Sequence, residues 1–336
     1  MGFDAMPGRF RDANQAMQSS QLGYMREAMK IEGVIPALPT PFTSSGQLDE
    51  IGLSKLVQHV IAGGVHGLWV LGSTSEFPSL NGNQRATIVE ICVEKAARRI
   101  PVIVGVGDLD ERVIIKNAEG AKRAGAAACF TTLPYYYTLD SAESVQYLHR
   151  IASAVPLPLV FYDNPFSTNV RLGQDAMLEV ASIPNLIAIK ESSGDFRRFI
   201  EVGEILAGGA TASLLQGIEQ LAGPSLLLGG ACGIIVALAS VVPNLFVELY
   251  EAALAADVAR LRGLQRRVLR LCRLYEVKGA ATDGAFFAGL KAALEVIGVC
   301  ARYTASPFAA MPPEKMKDVE TILAEYQGES SKAQNG

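Results

Sequence analysis

Short runs of apolar residues recur along the chain, and stretches with a helical spacing of apolar positions separate them. The runs are nearly continuous in apolar residues, as expected of parallel strands that are covered on both faces. The eight predicted strands are VIPAL (34–38), GLWVL (67–71), PVIVGV (101–106), AAACF (126–130), LPLVFY (157–162), LIAIK (186–190), ASLLQ (212–216) and CGIIVAL (232–238). Eight strand–helix units of this length and order predict an α/β fold, the (β/α)8 TIM barrel.

The helical pattern continues beyond the eighth unit and predicts additional C-terminal helices. We therefore expect a flexible N-terminal extension (1–30), the barrel (31–255), a C-terminal helical region (256–325) and a disordered tail (326–336). The first thirty residues lack the apolar segment of a secretory signal peptide.

Two other architectures fit the sequence less well than the barrel. A doubly wound open sheet would need a glycine-rich dinucleotide fingerprint after the first strand, but PTPFTSSGQLD (39–49) stands there. Residues 221–242 are uncharged and long enough to span a bilayer. Pro224 and several glycines interrupt that run, so it predicts a helix end, a turn and a buried strand rather than a membrane span.

Composition narrows the functional classes. The chain has 336 residues, with 30 basic and 34 acidic side chains and no long basic stretch, which argues against a nucleic-acid partner. Its five cysteines are scattered without CxxC spacing, and its three histidines show no metal-ligand spacing. We therefore expect a reduced, cytoplasmic protein without a bound metal.

The most informative polar residue is Lys190, which ends an otherwise apolar strand. Active sites of barrels of this kind lie at the carboxyl ends of the strands. Apolar surroundings lower the pKa of a lysine from its usual ~10.4, and the neutral amine can attack a carbonyl to form a Schiff base. The alternative is a lysine whose side chain reaches the rim of the barrel and pairs with Glu191.

Hydroxyl-bearing residues follow the neighbouring strands. Tyr162 ends the strand before that of Lys190, Ser73 and Thr74 follow the second strand, and the three tyrosines 135–137 follow the fourth. Schiff-base chemistry needs a proton shuttle and donors for a substrate carboxylate, and these side chains can supply both.

Four segments carry a resemblance to a known family. The chain resembles the dihydrodipicolinate synthase / N-acetylneuraminate lyase (DapA-like) family of class I, pyruvate-type aldolases from residue 36 to about residue 300. The matching segments are GSTSE (72–76), LPYYY (133–137), VFYDNP (160–165) and IAIKESSGD (187–195).

The resemblance implies catalytic roles. Lys190 would form the Schiff base, Tyr162 would be the acid/base beside it, and Ser73 and Tyr136 would complete a proton relay. In this family the tyrosine that matches Tyr136 often reaches in from a neighbouring subunit. A homo-oligomer is therefore implied, commonly a homotetramer built as a dimer of dimers.

The resemblance also implies a binding site for a 2-oxo acid such as pyruvate, and an aldehyde as the second substrate. Ser73 and Thr74 would hold the carboxylate, and the backbone of Ile235 would line the floor. No metal or organic cofactor is implied.

Two positions that are expected to bind substrate depart from the family pattern. Ser75 replaces a glycine, and Ser167 replaces the arginine with which dihydrodipicolinate synthases bind the second substrate's carboxylate; the nearest arginine is Arg171. We therefore expect an aldolase or dehydratase that acts on another 2-oxo acid. The alternatives are 4-hydroxy-tetrahydrodipicolinate synthase, which joins pyruvate and aspartate semialdehyde, and a barrel that senses a 2-oxo acid without turning it over.

Overall fold

Eight short parallel strands form the centre of the molecule. The structure is a computed structural model that describes residues 30–209, 212–279 and 281–334. The strands are β1 (Gly33–Pro36), β2 (Leu68–Val70), β3 (Val102–Gly105), β4 (Ala128–Thr131), β5 (Leu159–Asp163), β6 (Leu186–Glu191), β7 (Ser213–Gln216) and β8 (Gly233–Val236). Each of the eight predicted strands overlaps one of these.

The sheet closes on itself. Its strand order is β1-β8-β7-β6-β5-β4-β3-β2, with parallel pairing throughout. Between β1 and β2, the backbone N–H of Leu38 donates to the carbonyl oxygen of Trp69 at 3.0 Å. The predicted TIM barrel is therefore confirmed.

Helices follow the strands and surround the barrel. They are α1 (Glu50–Ala62), α2 (Gly82–Ala96), α3 (Glu111–Ala124), α4 (Ser141–Ala154), α5 (Pro165–Thr168), α6 (Gln174–Ala181), α7 (Phe196–Ala207), α8 (Ala222–Leu228), α9 (Pro243–Leu254), α10 (Val258–Leu271), α11 (Asp283–Val296) and α12 (Met316–Gln334). Local sequence determines several of their ends. Asp140, for example, caps α4 by accepting from the backbone of Glu143, and Gly125 ends α3 in the left-handed conformation.

Two apolar clusters make up the core. The inner cluster fills the barrel and includes Trp69, Phe130, Tyr162 and Ile235. The outer cluster lies between strands and helices and extends without interruption into α10, α11 and α12. The predicted boundary between the barrel and the C-terminal helical region, at residue 255, falls between α9 and α10. One core joins the residues on both sides of it, so this boundary stays a prediction.

Three sequence expectations concern the remaining segments. The run 221–242 divides into α8, a turn and β8, as expected, and no helix among the described residues is long and apolar enough to cross a membrane. The expectation of a disordered tail over 326–336 needs correction, because α12 continues to Gln334. Several residue types in α12, among them Glu, Lys, Ala and Gln, have high helix propensity. Of the predicted N-terminal extension, residues 1–29 lie outside the described residues.

Candidate active site

Lys190 and Tyr162 occupy paired positions at the carboxyl ends of β6 and β5. The Nζ atom of Lys190 lies 4.0 Å from the centroid of the Tyr162 ring and 4.9 Å from that of Trp69. Both side chains are buried, with 4% of Lys190 and 7% of Tyr162 exposed. The site is thus an amine surrounded by aromatic rings in the upper part of the barrel interior.

Burial dominates the electrostatics of the amine. Removal from water lowers the pKa of Lys190 to about 7, and the carboxylate of Glu219 partly opposes this effect. Glu191 does not pair with the amine, because successive side chains of a strand point to opposite faces. Its carboxylate lies 3.6 Å from the guanidinium of Arg198, outside the barrel interior. The alternative of a Lys190–Glu191 pair at the rim is therefore wrong.

The phenol of Tyr162 has hydroxyls on two sides. Burial raises its pKa, and the nearby hydroxyls of Ser73 and Ser192 partly oppose the rise. Ser192 was not singled out from the sequence. It lies two residues beyond Lys190 and directly follows β6, so the two-residue period of the strand, continued by one residue, places both side chains on the same face. That period was the signal that could have identified it.

The turn after β2 holds Ser73, Thr74 and Ser75 in a short 3-10 helix. The first N–H groups of such a helix have no partner within it and are free to bind an anion. The sequence predicts that Ser75 binds substrate, and this stays a prediction. Its hydroxyl donates to the carbonyl oxygen of Leu38 at 2.6 Å, so its proton holds the turn against β1.

Gly217 closes the side of the site next to β7. A Cβ at this position would lie 1.8 Å from Oγ of Ser192 and 2.9 Å from Cε of Lys190. Any side chain would therefore displace the amine or the serine. Sequence reasoning missed this residue, although a glycine directly after a strand, at the carboxyl end of a barrel, is a usable signal.

Glu219 connects the mouth of the barrel to the C-terminal region. Its Oε1 accepts hydrogen bonds from the backbone N–H groups of Ala237 and Leu238 at 2.9 and 3.2 Å, and from the phenol of Tyr275 at 2.8 Å. No sequence motif indicated these contacts, because they join segments that are distant in the chain. They hold the carboxylate that acts on the pKa of Lys190.

The remaining predicted residues are Ile235, Tyr136 and Ser167. Ile235 is buried in the inner cluster, as expected of a residue at the floor. Tyr136 is 75% exposed and packs edge-on against Tyr137 rather than against Tyr162. Ser167 is exposed on α5 and accepts a hydrogen bond from Nδ2 of Asn164 at 2.8 Å. The structure therefore brings Lys190, Tyr162 and Ser73 together but leaves Tyr136 and Ser167 outside that group.

Arg171 does not take the place of an arginine at position 167. Its guanidinium forms an ion pair with Asp195 at 3.2 Å, and both side chains are about half exposed. The buried arginine nearby is Arg198, which pairs with Asp163 at 2.6 Å behind the strands. Arg198 therefore holds the carboxyl ends of β5 and β6 together from outside the barrel.

Fold and site together define the class: a TIM-barrel protein with an amine, a phenol and hydroxyls at the carboxyl ends of its strands. Comparison with known proteins identifies the family. The chain belongs to the dihydrodipicolinate synthetase family, whose sequence model matches residues 30–326.

Individual relatives cover nearly the whole chain. An uncharacterised DapA-like lyase of Halobacterium salinarum is 32% identical over 299 residues, which span 89% of this chain and 95% of that protein. The structure of dihydrodipicolinate synthase from Bacteroides thetaiotaomicron aligns with a TM-score of 0.84 and 32% identity, over 88% of this chain and 100% of that one. The prophage protein YagE of E. coli K12, crystallised in complex with pyruvate, aligns with a TM-score of 0.82 and 28% identity, over 88% of this chain and 99% of that one.

Proposed function

We propose that this lyase forms a Schiff base between Lys190 and pyruvate or a related 2-oxo acid, and then makes or breaks a carbon–carbon bond or eliminates water. The observation that carries the proposal is the buried amine of Lys190, with a pKa of about 7, paired with Tyr162 across β5 and β6. About half of such an amine is neutral at neutral pH, so it is available as a nucleophile.

The chemistry follows from these two groups. The neutral amine adds to the ketone carbon, and proton transfer gives a carbinolamine. The phenol of Tyr162 then donates a proton to the departing hydroxyl, which leaves as water, and the nitrogen becomes a protonated imine. The resulting phenolate takes a proton from the neighbouring carbon, and the enamine that forms attacks an aldehyde. Ser73, whose hydroxyl opposes the rise in the pKa of Tyr162, relays protons to and from the phenol.

The carboxylate of the 2-oxo acid binds at the turn after β2. The hydroxyl of Ser73 and the backbone N–H groups of Ser73 and Thr74 supply its donors, because they lie at the start of a short helix. Ile235 lies beneath the substrate in the inner cluster. The crystal of YagE with pyruvate supports pyruvate as the first substrate.

The second substrate is an aldehyde that does not need an arginine at position 167. Ser167 offers a neutral hydroxyl that already contacts Asn164, and Arg171 is paired with Asp195. These contacts favour an aldolase or dehydratase outside the lysine pathway over 4-hydroxy-tetrahydrodipicolinate synthase.

Tyr136 completes the proton relay of a neighbouring subunit within a homo-oligomer, as a dimer of dimers would allow. Two observations support this role: the side chain is 75% exposed, and it lies on the connection between β4 and α4, at the active-site end of the barrel. All five cysteines are free, which supports a cytoplasmic location.

Borohydride trapping tests the proposed Schiff base. Incubation with pyruvate and borohydride should attach a reduced pyruvyl group to Lys190, detected by mass spectrometry of peptides. The matched control is Lys291, which is also buried and should stay unmodified. An adduct that forms equally well in Lys190→Ala would contradict the assignment. Trapping without turnover of any aldehyde would favour the sensing barrel instead.

A further inference from the structure

Trp69 lies in the barrel interior next to the amine of Lys190. Its indole stacks on Phe130 with ring centroids 3.5 Å apart and meets the ring of Tyr162 edge-on at 5.9 Å. None of its surface is exposed. Trp69 lies on β2, shortly before the turn that follows this strand.

The indole nitrogen is the unusual part of this side chain. Nε1 is buried and forms no hydrogen bond within the described residues. Buried donors are nearly always paired, because a donor that is removed from water without a partner destabilises the fold. An indole N–H can only donate, so the missing partner must be an acceptor.

The surroundings of Nε1 identify where that acceptor lies. A Cβ added to Gly72 would be 2.7 Å from Nε1, so the nitrogen touches the first residue of the carboxylate-binding turn. The amine of Lys190 lies 4.9 Å from the centroid of the Trp69 ring. The indole therefore extends from the reactive amine to the turn that contains Ser73.

A 2-oxo acid that is bound as an imine must place its carboxylate in this region, because the carboxylate is attached to the carbon that Nζ bonds. We propose that the Nε1–H of Trp69 donates a hydrogen bond to the carboxylate of the 2-oxo acid once it is joined to Lys190. This inference rests on the proposed Schiff base. It makes Trp69 a substrate-binding residue whose hydrogen bond is strongest when the carboxylate is ionised. A bond to an ionised acceptor is stronger than one between neutral groups.

The first test uses the indole as its own reporter. Trp69 is the only tryptophan of the chain, so the full-length protein labelled with 15N gives a single indole N–H resonance. Addition of pyruvate should move that proton resonance downfield, and its methyl ester, which lacks the ionised carboxylate, should move it much less. Borohydride trapping of the same samples shows whether the imine has formed.

The second test measures affinity. Trp69→Phe keeps an aromatic ring against Phe130 but removes the donor. The dissociation constant of pyruvate should rise about 10- to 100-fold, as expected for a lost hydrogen bond to a charged group, while that of the methyl ester should change little. At saturating pyruvate the variant should still be trapped at Lys190.

The outcomes separate the two proposals. If trapping shows complete imine formation and the indole resonance stays in place, or moves equally with the methyl ester, Trp69 does not bind the carboxylate. Equal loss of affinity for pyruvate and its ester in Trp69→Phe would also overturn the inference. If the wild-type protein forms no imine at Lys190, the proposed function itself fails. The resonance needs no variant, so it decides the question even if Trp69→Phe does not fold.

Discussion

Glu76 and Lys291 form a buried ion pair that connects the active-site turn to the C-terminal helices. Glu76 directly follows the turn after β2, and Lys291 lies on α11; the two side chains are 0% and 1% exposed. Each partner also bonds to the backbone: Oε2 of Glu76 accepts from the N–H of Ala305 at 2.8 Å, and Nζ of Lys291 donates to the carbonyl oxygen of Tyr303 at 2.9 Å. The position of the turn therefore depends on residues that lie more than two hundred positions later.

Removing one partner of this pair should strongly destabilise the protein. Lys291→Met leaves the carboxylate of Glu76 buried without its cation, which is expected to lower the free energy of unfolding by about 3–5 kcal/mol. Denaturation in urea measures this, and the double variant Glu76→Gln/Lys291→Met should recover part of the loss. The control is Arg197→Met, which breaks an exposed ion pair with Glu201 on α7 and should cost about 0.5 kcal/mol or less. Similar losses in both single variants would contradict the prediction.

Tyr162→Phe should separate catalysis from packing. The change removes one oxygen and leaves the ring between Lys190 and Phe130, so the fold should be unchanged by circular dichroism. Turnover should fall by ~10²–10⁴, the usual contribution of general acid–base catalysis. Tyr147→Phe is the control, because that tyrosine is also buried but lies on α4, outside the barrel. Full activity in Tyr162→Phe would limit this side chain to packing.

The pH dependence of trapping should reflect the amine of Lys190. Because burial lowers its pKa to about 7, the neutral fraction rises through that pH. The initial rate of trapping by pyruvate and cyanoborohydride should therefore increase from pH 5 to pH 8 with a midpoint near 7. A midpoint near ~10, the range of an ordinary lysine, would show that burial does not control the reactivity.

The same pKa shift predicts a change in stability. In the unfolded chain the lysine has a pKa of ~10.4, so between pH 7 and that value the unfolded state binds more protons and the wild-type protein gains stability as pH rises. Lys190→Met removes the charged form. It should be more stable than the wild type at pH 7 and below, by at most about 5 kcal/mol, and this advantage should shrink toward pH 10. Urea denaturation at several pH values measures it, and an advantage that grows with pH has the wrong sign.

Aspartate semialdehyde should be a poor second substrate. Its carboxylate would lie near Ser167, which offers no positive charge, whereas a bidentate arginine would supply charge-assisted hydrogen bonds. With pyruvate as the first substrate, we expect kcat/KM at least ~10-fold below that of the preferred aldehyde, as found by a screen of aldehydes. Efficient condensation that is abolished in Arg171→Ala would show that Arg171 leaves Asp195 to bind the carboxylate, and would support the lysine-pathway reaction.

Tyr136 should act across a subunit boundary. Separate preparations of Tyr136→Phe and Lys190→Ala are each expected to be inactive. Mixing them under conditions that exchange subunits should restore activity, because some hybrid sites combine an intact barrel with an intact Tyr136 from a neighbour. A mixture of Tyr162→Phe and Lys190→Ala is the control and should stay inactive, since both residues belong to one barrel. Activity that does not return on mixing, despite confirmed exchange, would place Tyr136 outside the relay.

Sequence alone determined the barrel and the central pair of the candidate site. Parallel strands that are covered on both faces must be apolar along their whole length, so their number and order could be read directly from the chain. The same rule makes a lysine at the end of LIAIK conspicuous, and the spacing of one strand–helix unit placed Tyr162 beside it. Local signals of this kind do not depend on how distant segments meet.

Only the tertiary structure decided the contacts that join distant parts of the chain. The hydroxyl of Ser75 is directed to the backbone of Leu38, and Glu76 meets Lys291, because the fold brings these segments together. Such pairs have no fixed separation in sequence and leave no periodic pattern. The same reason applies to the indole of Trp69: its apolar position on β2 could be predicted, but its unpaired nitrogen beside Gly72 follows from the packing of the closed barrel.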